Sequence, residues 1–355
     1  MKGSHQDIVI SDRGGIVENT HAVHAAVVDS TGRLLFSLGN PSRLTLARSA
    51  VKPAQTLAVL ETGAHETFDF DEADVALMCA SHNGEDRHVD RARAILAKVQ
   101  AKEEDLRCGG HASLSDQVNR QWANQGITPS AIHNNCSGKH AGMIGAARAL
   151  GVDTSTYHQP DHPVQERLKK IVEELSGLSA ADVRWAIDGC NLPAPATPLF
   201  GMARLFASFA DAVDKVDNNE PVNSRQILQA KIFNAMTRYP EMVGGEGRFC
   251  TDLMRTYHGS LIGKVGADGF YGVGIRTSAR PARIAGTGGI GIAVKIEDGS
   301  REILYAVVAE ILRQLEIGEP AMREALSQFH LSDRRNTAGV LIGSLTYKFN
   351  LASQS

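Results

Sequence analysis

Apolar positions in two distant parts of the chain follow the pattern of β-strands. Near the N-terminus, the apolar runs Val23–Val28 and Leu34–Leu38 flank a turn-like segment. Much later, Leu261–Val265 and Phe270–Ile275 flank a second turn, and apolar residues alternate with smaller or polar ones over residues 290–296. Short apolar runs bounded by turn residues are typical of strands. The pattern therefore predicts strands near both ends of the chain.

The long stretch between these strands has a helical pattern. One apolar stripe runs over residues 89–99, and residues 141–150 are small or apolar nearly throughout, as expected of a buried helix. A later amphipathic stripe covers residues 304–315.

Strands near both ends with helices between them indicate an α+β fold. We expect a single domain over residues 1–355, with an antiparallel sheet formed by segments at about 8–40 and 258–355. The region at about 50–257 is predicted to be mainly helical.

Charge and composition exclude several classes of function. A formal net charge of -3 argues against a surface for nucleic acid or anionic membranes. No run of about 20 apolar residues is present, and no apolar stretch follows Lys2, so we expect a cytoplasmic protein. The five cysteines are odd in number and widely spaced, which favours reduced thiols over a disulfide framework.

Three short signatures stand in order along the chain and point to serine chemistry. They are Ser49-Ala50-Val51-Lys52, Ser81-His82-Asn83 and Lys264-Val265-Gly266. The trio S-x-x-K, S-x-N and K-x-G is shared with serine β-lactamases and penicillin-binding proteins. A serine hydroxyl is a weak nucleophile until a base removes its proton, and a nearby lysine can be that base.

The spacing of Ser49 and Lys52 suits such a pair. A helix is predicted to begin near Lys52, and residues three apart on a helix share a face. Free N–H groups at a helix start also stabilise an oxyanion. To act as a base near neutral pH, Lys52 must have its pKa lowered by about 3 units, which burial and a second cation such as Lys264 would achieve.

A second cluster of candidate residues opens the predicted helix after residue 134. Cys136, Lys139 and His140 are spaced to project to one side of that helix, and Cys190 lies in a proline-rich segment predicted to be a turn. Two thiolates with nitrogen ligands suit Zn²⁺. From spacing alone, however, two isolated buried cysteines are the more frequent outcome.

Several longer segments carry a resemblance to a known family. They are Arg48-Ser49-Ala50-Val51-Lys52-Pro53-Ala54-Gln55, Cys79-Ala80-Ser81-His82-Asn83-Gly84-Glu85, Asn135-Cys136-Ser137-Gly138-Lys139-His140-Ala141-Gly142-Met143, Asp188-Gly189-Cys190-Asn191-Leu192-Pro193 and Gly263-Lys264-Val265-Gly266-Ala267-Asp268-Gly269. With these segments the chain resembles the rhizobial-type (class 3) L-asparaginases of the L-asparaginase II family.

The resemblance implies a β-lactamase-like fold, a homodimer, and hydrolysis of L-asparagine to L-aspartate and ammonia. It also implies roles for individual residues. Two serine–lysine tandems would consist of Ser49, Lys52, Ser81 and Lys264. Zinc would be bound by Cys136, Lys139, Cys190 and a water, with Asp188 as an outer partner, and would assist substrate binding rather than act as the primary catalyst.

On this basis we expect Ser49, deprotonated by Lys52, to attack the side-chain carboxamide. Backbone N–H groups near Ser49 and Ser81 would stabilise the oxyanion. Recognition of the α-amino and α-carboxylate groups is assigned to Arg48, Asn83, Glu85 and His140. Two alternatives remain open: a β-lactamase or peptidoglycan amidase, and a non-catalytic zinc-dependent protein that binds amino acids.

Overall fold

The computed structural model describes residues 7–330 and 333–354. Its strands are β1 (Ile8–Arg13), β2 (Ile16–Asp29), β3 (Leu34–Leu38), β4 (Leu44–Leu46), β5 (Arg184–Ile187), β6 (Pro193–Pro198), β7 (Leu261–Gly266), β8 (Phe270–Ile275), β9 (Ile290–Ile296), β10 (Asp333–Arg335), β11 (Leu341–Lys348) and β12 (Ala352–Ser353). The five strands predicted from the apolar runs are therefore confirmed as β2, β3, β7, β8 and β9.

The main sheet joins the two ends of the chain, as the sequence predicts. Its strand order is β10-β11-β1-β2-β9-β8-β7, and β3 pairs with both β2 and β12. Strand β2 pairs with β1 through its first half and with β3 and β9 through its second half, and all these pairings are antiparallel. This arrangement places Lys264, on β7, at one edge of the described sheet.

A second, three-stranded sheet has the order β4-β6-β5 and was not predicted. The turn predicted at Cys190 is confirmed, since residues 188–192 connect β5 to β6. The prolines that follow it form the central strand, Pro193–Pro198, because they pair with β5 just before the turn and with the distant β4. Ala196 pairs with both Leu46 and Arg184. The predicted helical region thus contains two short strands, β5 and β6.

Most of the chain between residues 52 and 256 is helical, as predicted. The helices are α1 (Lys52–Leu60), α2 (Ala64–Thr67), α3 (Glu72–Met78), α4 (Asp86–Lys98), α5 (Asp116–Asn124), α6 (Ser137–Ala149), α7 (Pro163–Ser176), α8 (Leu199–Asp217), α9 (Ser224–Arg238), α10 (Pro240–Val243), α11 (Phe249–Thr256), α12 (Arg301–Gln314), α13 (Pro320–Glu324) and α14 (Ser327–His330). In the described ranges, none of these is both long and apolar enough to cross a membrane.

Two apolar clusters form the interior. The larger lies between the main sheet and helices that include α1, α8, α9 and α12, and the smaller joins α3, α4 and α6. Helix α8 lies directly on the sheet, since a Cβ atom at Gly291 of β9 would collide with the carbonyl oxygen of Ala203. The candidate site residues lie where the sheet edge, α1 and the smaller cluster meet.

Candidate functional site

The hydroxyl of Ser81 lies between two buried lysine amines. Its Oγ is 2.8 Å from Nζ of Lys264 and 3.1 Å from Nζ of Lys52. Lys52 is the first residue of α1, Ser81 follows the end of α3, and Lys264 projects from β7. Both lysines are fully buried, and Ser81 is 4% exposed. The structure therefore brings together one residue from each of the three predicted signatures.

Lys264 is suited to accept a proton near neutral pH. Burial, together with the positive charge of Lys52, lowers the pKa of Lys264 from 10.5 to about 7. Burial disfavours the ammonium form because the low-dielectric interior solvates it poorly. Its amine hydrogen-bonds to Ser81 Oγ and also to the carbonyl oxygen of Val265 at 2.9 Å. Ser81 is thus in direct contact with a group that gains and loses a proton in the physiological range.

Ser49 lies in the single 3₁₀ turn Arg48–Val51 that leads into α1. It is half-buried, and among the described residues neither its side chain nor its backbone N–H has a hydrogen-bond partner. The backbone N–H of Lys52 donates to the Ser49 carbonyl oxygen, so the two residues share this turn. The Lys52 amine, however, hydrogen-bonds to Ser81 and to the carbonyl oxygen of Ala80 instead of Ser49 Oγ. The expected Ser49–Lys52 side-chain bond is not formed in this structure.

Strand β7 lies against the turn that carries Ser49. A Cβ atom at Gly266 would collide with the carbonyl oxygen of Ala47, two residues before Ser49. Only glycine permits so close an approach of two backbones. The absence of a side chain at Gly266 therefore brings the Ser49 turn next to the strand that carries Lys264.

Arg48, in the turn that carries Ser49, contacts two loops through its guanidinium group. It adopts the left-handed conformation, with φ of 49°, which is uncommon for a residue with a side chain. Its Nε donates to Asp188 Oδ1 at 2.7 Å, and its Nη1 contacts the carboxylate of Asp268. Although burial alone would raise the pKa of Asp188, the hydrogen bond from Arg48 and the charge of Lys139 lower it. Asp268 was part of a quoted segment, but sequence reasoning gave it no role.

The last residue of α10, Val243, and the glycine-rich loop that follows it, residues 244–248, cover the Ser81–Glu85 segment. The N–H groups of Ser81 and Asn83 donate to the carbonyl oxygens of Val243 at 2.9 Å and Gly244 at 3.0 Å. The N–H of Ser81 is therefore engaged and not available to an oxyanion, contrary to one reading of the sequence. Glu85 accepts from the Asn83 side chain at 3.1 Å and from the backbone N–H of Glu246 at 2.9 Å.

Arg248, at the end of this loop, is a site residue that sequence reasoning missed. Its Nη1 donates to Asn83 Oδ1 at 2.8 Å and to the carbonyl oxygen of Ser81 at 3.3 Å. The glycines at 244, 245 and 247 marked the segment as a loop. Nothing in the chain order, however, relates Arg248 to a segment more than 160 residues earlier.

The two candidate zinc thiols also come together. Lys139 Nζ donates to Cys190 Sγ at 3.1 Å, and Cys136 lies just before α6. A hydrogen bond from Cys190, with the charge of Lys139, lowers the pKa of the buried Cys136 thiol. Although burial alone would lower the pKa of Lys139, the adjacent Cys136 and Cys190 raise it. The same sulfur–sulfur contact and burial raise the pKa of Cys190, so Cys136 is the more readily ionised of the two thiols.

These three donors match zinc in chemical type. In the described residues, no group of three or more His, Cys, Asp or Glu side chains is arranged to hold a metal ion. A zinc ion at this place would therefore need the Lys139 amine as its third protein ligand, beside the sulfur atoms of Cys136 and Cys190. Sulfur and nitrogen donors suit Zn²⁺.

His140 lies beside this cluster but faces an aromatic partner. Its Nδ1 is 2.6 Å from the hydroxyl of Tyr157, and its Nε2 is buried with no hydrogen-bond partner in the described chain. Burial and the charge of Lys139 hold the pKa of His140 well below its usual value. A neutral ring is therefore expected.

The zinc-type cluster and the serine–lysine cluster adjoin each other. Lys52 Nζ is 3.5 Å from the carbonyl oxygen of Asn135, the residue before Cys136. The charge of Lys52 also contributes to the low pKa of the Cys136 thiol. One continuous region therefore contains both groups of residues.

Comparison with known proteins identifies the family of this chain. The family model for L-asparaginase II matches residues 9–347. No curated protein matches the chain. A solved structure titled "Crystal Structure Analysis of Mglu" is 15% identical, with a TM-score of 0.38, over 82% of this chain and 67% of that chain. At a TM-score this low, the similarity carries no argument about fold or function.

Proposed function

Because the chain belongs to the L-asparaginase II family, we propose that this asparaginase converts L-asparagine to L-aspartate and ammonia through an acyl-enzyme on Ser49. The observation that carries the proposal is the position of Ser81 Oγ, 2.8 Å from one buried amine and 3.1 Å from another. One hydroxyl between two amines can pass a proton from either lysine to the other. Such exchange supplies the neutral amine that a serine nucleophile requires.

The first step forms the bond between Ser49 Oγ and the side-chain carboxamide carbon. Lys52 takes the hydroxyl proton, and the relay through Ser81 and Lys264 returns a proton to the leaving nitrogen as the C–N bond breaks. The products are ammonia and an aspartyl ester. A catalytic hydrogen bond between Ser49 and Lys52 need not be short without substrate, because such contacts often tighten only in the complex.

The second step is hydrolysis of the aspartyl ester. Water attacks the ester carbon, and its proton passes through the lysine relay to Ser49 Oγ as the C–O bond breaks, which releases L-aspartate and restores the Ser49 hydroxyl. The free N–H of Ser49 is our candidate donor to the oxyanion in both steps, since the N–H of Ser81 is engaged. The Arg48 guanidinium and the Asn83 amide are candidates for holding the α-carboxylate and α-amino groups, with Glu85 fixing Asn83.

We also propose that Cys136, Lys139 and Cys190 hold a zinc ion that assists substrate binding. Bound zinc would supply a positive charge beside the serine–lysine cluster. Hydrogen bonds within this chain fix the backbone beside Cys190. Arg48 donates to Asp188, and Asp188 accepts a hydrogen bond from the backbone N–H of Gly189 at 2.7 Å. His140, with a neutral ring, is proposed to contact the substrate through its unpaired Nε2.

Three further features remain proposals that the family resemblance supports. They are a β-lactamase-like arrangement of the sheet and helices in one domain, a homodimer, and a cytoplasmic location. Sedimentation of the purified protein would test the homodimer directly. A sedimentation coefficient typical of a monomer at micromolar concentration would contradict it.

The reaction is tested by measuring ammonia release from L-asparagine. We expect Ser49→Ala to lower kcat by a factor of about 10³ or more, as for the removal of a covalent nucleophile. Ser179→Ala, at an exposed serine outside the serine–lysine cluster, is the control and should keep full activity. Activity of Ser49→Ala close to that of the control would overturn the proposal.

A further inference from the structure

A cleft lies between the small sheet and the β7–β8 turn, outside the serine–lysine cluster. Its volume is about 460 Å³, within the range of small-molecule sites. Strands β4, β5 and β6 form one wall, and Asp268 of the β7–β8 turn and Lys295 of β9 lie on the other. Arg48 also lines the cleft, but the catalytic proposal uses none of the small-sheet residues.

The charges that line the cleft are unbalanced. Four cationic side chains, those of Arg43, Arg48, Arg184 and Lys295, face the single carboxylate of Asp268. Arg48 is bound to Asp188 and Asp268, and Arg43 is held by Glu297 through two hydrogen bonds of 2.8 Å. Arg184 is exposed and forms no ion pair with the described residues.

Lys295 is the most unusual of these cations. It is 8% exposed, and the one hydrogen bond that its amine makes within the described chain is to the carbonyl oxygen of Asp268. No described carboxylate lies within 4 Å of its nitrogen. A buried ammonium without a carboxylate partner is costly unless an anion neutralises it. Burial and the charge of Arg43 lower the pKa of Lys295, although the more distant carboxylates of Glu297, Asp268 and Asp298 oppose this shift.

The small-sheet wall of the cleft is largely apolar. Leu44 and Leu46 alternate with the buried Thr45 on β4, and they are 41% and 39% exposed. Ala196 of β6 pairs with both Leu46 and Arg184, so these three side chains lie on one face of the small sheet. Exposed leucines on a face that also carries a cation form a surface suited to an apolar carboxylate.

We propose that this cleft binds a small carboxylate with an apolar body. The carboxylate would neutralise Lys295, with Arg184 as a second cation, and the apolar body would lie on Leu44, Leu46 and Ala196. The cleft borders the proposed L-asparagine site at Arg48, but its ligand differs from L-asparagine, which carries two charges and an amide and has no apolar body. The proposal does not depend on the catalytic function proposed above.

Isothermal titration calorimetry with octanoate tests this site on the full chain. We expect saturable binding of octanoate, binding at least tenfold weaker for octylammonium, and no saturable heat with sulfate. Lys295→Met should weaken octanoate binding at least tenfold, and Leu44→Ala should weaken it independently. Lys170→Ala, at an exposed lysine of α7, is the matched control and should leave it unchanged.

Several results would overturn the proposal. Equal affinity for octylammonium would mean that charge plays no part, and equal affinity for sulfate would mean that the apolar wall plays none. Unchanged affinity in both Lys295→Met and Leu44→Ala, each with native circular dichroism, would place the ligand elsewhere. Inhibition of asparagine hydrolysis that is competitive with L-asparagine would show one shared site. Loss of octanoate binding on dimerisation, seen by sedimentation, would show that a second copy covers the cleft.

Discussion

Nζ of Lys264 lies 2.8 Å from Oγ of Ser81, in a position where both side chains are shielded from water. This contact links strand β7 to the segment after α3 and, through Lys52 at 3.1 Å, to the start of α1. Because burial and the charge of Lys52 bring the pKa of Lys264 to about 7, the contact has measurable consequences for both activity and stability.

The first prediction concerns the pH dependence of activity. Since the relay needs the neutral amine, kcat/KM should rise as pH increases through about 7, where Lys264 loses its proton. Lys264→Met should lower kcat/KM at least 100-fold, as for removal of a general base, and abolish that rise. The measurement is the kcat/KM profile for L-asparagine from pH 5 to 9. A wild-type profile that is flat across this range would contradict the assignment.

The same pKa makes a prediction about folding stability. Between about pH 7 and 10.5 the unfolded chain keeps a proton on Lys264 that the folded chain has lost, so stability should rise with pH across this window. The slope from this group is about 1.4 kcal/mol per pH unit. Lys264→Met removes this pH-dependent contribution. The variant should therefore have a larger free energy of unfolding than the wild type near pH 7, and the two values should converge near pH 10. Urea unfolding at several pH values gives the comparison.

Lys170→Met, at an exposed lysine, is the control for this stability experiment. It should follow the wild-type stability at every pH. A Lys264→Met variant whose difference from wild type does not change with pH would contradict the lowered pKa.

The glycine-rich loop offers a matched pair of variants. Gly245 has φ of 108°, and a Cβ atom there would lie 2.5 Å from Asn83 Nδ2 and 2.6 Å from Glu85 Oε1. Gly247 has φ of 71°, but a Cβ atom would have nothing within 4 Å. Both alanine variants strain the backbone by about 1 kcal/mol or more. We expect only Gly245→Ala to lower kcat/KM, by about tenfold or more, because it displaces Asn83.

Steady-state kinetics and thermal unfolding of both variants separate the two effects. Equal losses of kcat/KM in Gly245→Ala and Gly247→Ala would mean that backbone strain, rather than the position of Asn83, sets the activity.

Zinc binding should depend steeply on pH. The ion competes with protons on Lys139 and on the two thiols, and the pKa of Lys139 is raised by those thiols. Affinity should therefore increase between about pH 6 and 9, and Cys190→Ser should weaken it by a factor of about 100. Competition against a chromogenic chelator measures both. Cys108→Ser, at a buried cysteine outside the cluster, is the control. An affinity independent of pH would count against this ligand set.

The sequence predicted those parts of the molecule in which local pattern and tertiary structure agree. Strand β9 was found because its apolar residues alternate, and α6 because it is small and apolar nearly throughout. The meeting of Lys52, Ser81 and Lys264 followed from motif order alone. Their contacts differ in detail, since the Lys52 amine reaches Ser81 rather than Ser49.

The parts that the sequence did not predict depend on contacts between distant segments. Strand β6 carries three prolines, which normally argue against a central strand because they lack the N–H group. It pairs nonetheless, with strands of three and four residues that have little pattern of their own. Arg248 and Asp268 likewise acquire their roles only when loops from opposite parts of the chain meet Asn83 and Arg48.

The most direct test of the account is the location of the covalent intermediate. Acid quenching during turnover of L-asparagine, followed by cleavage after glutamate, separates Ser49 from Ser81, because Glu61 lies between them. Mass spectrometry should find an aspartyl group on the peptide that contains Ser49 and none on the peptide that contains Ser81. An aspartyl group on Ser81 would contradict the account, as would turnover by Ser49→Ala at the wild-type rate.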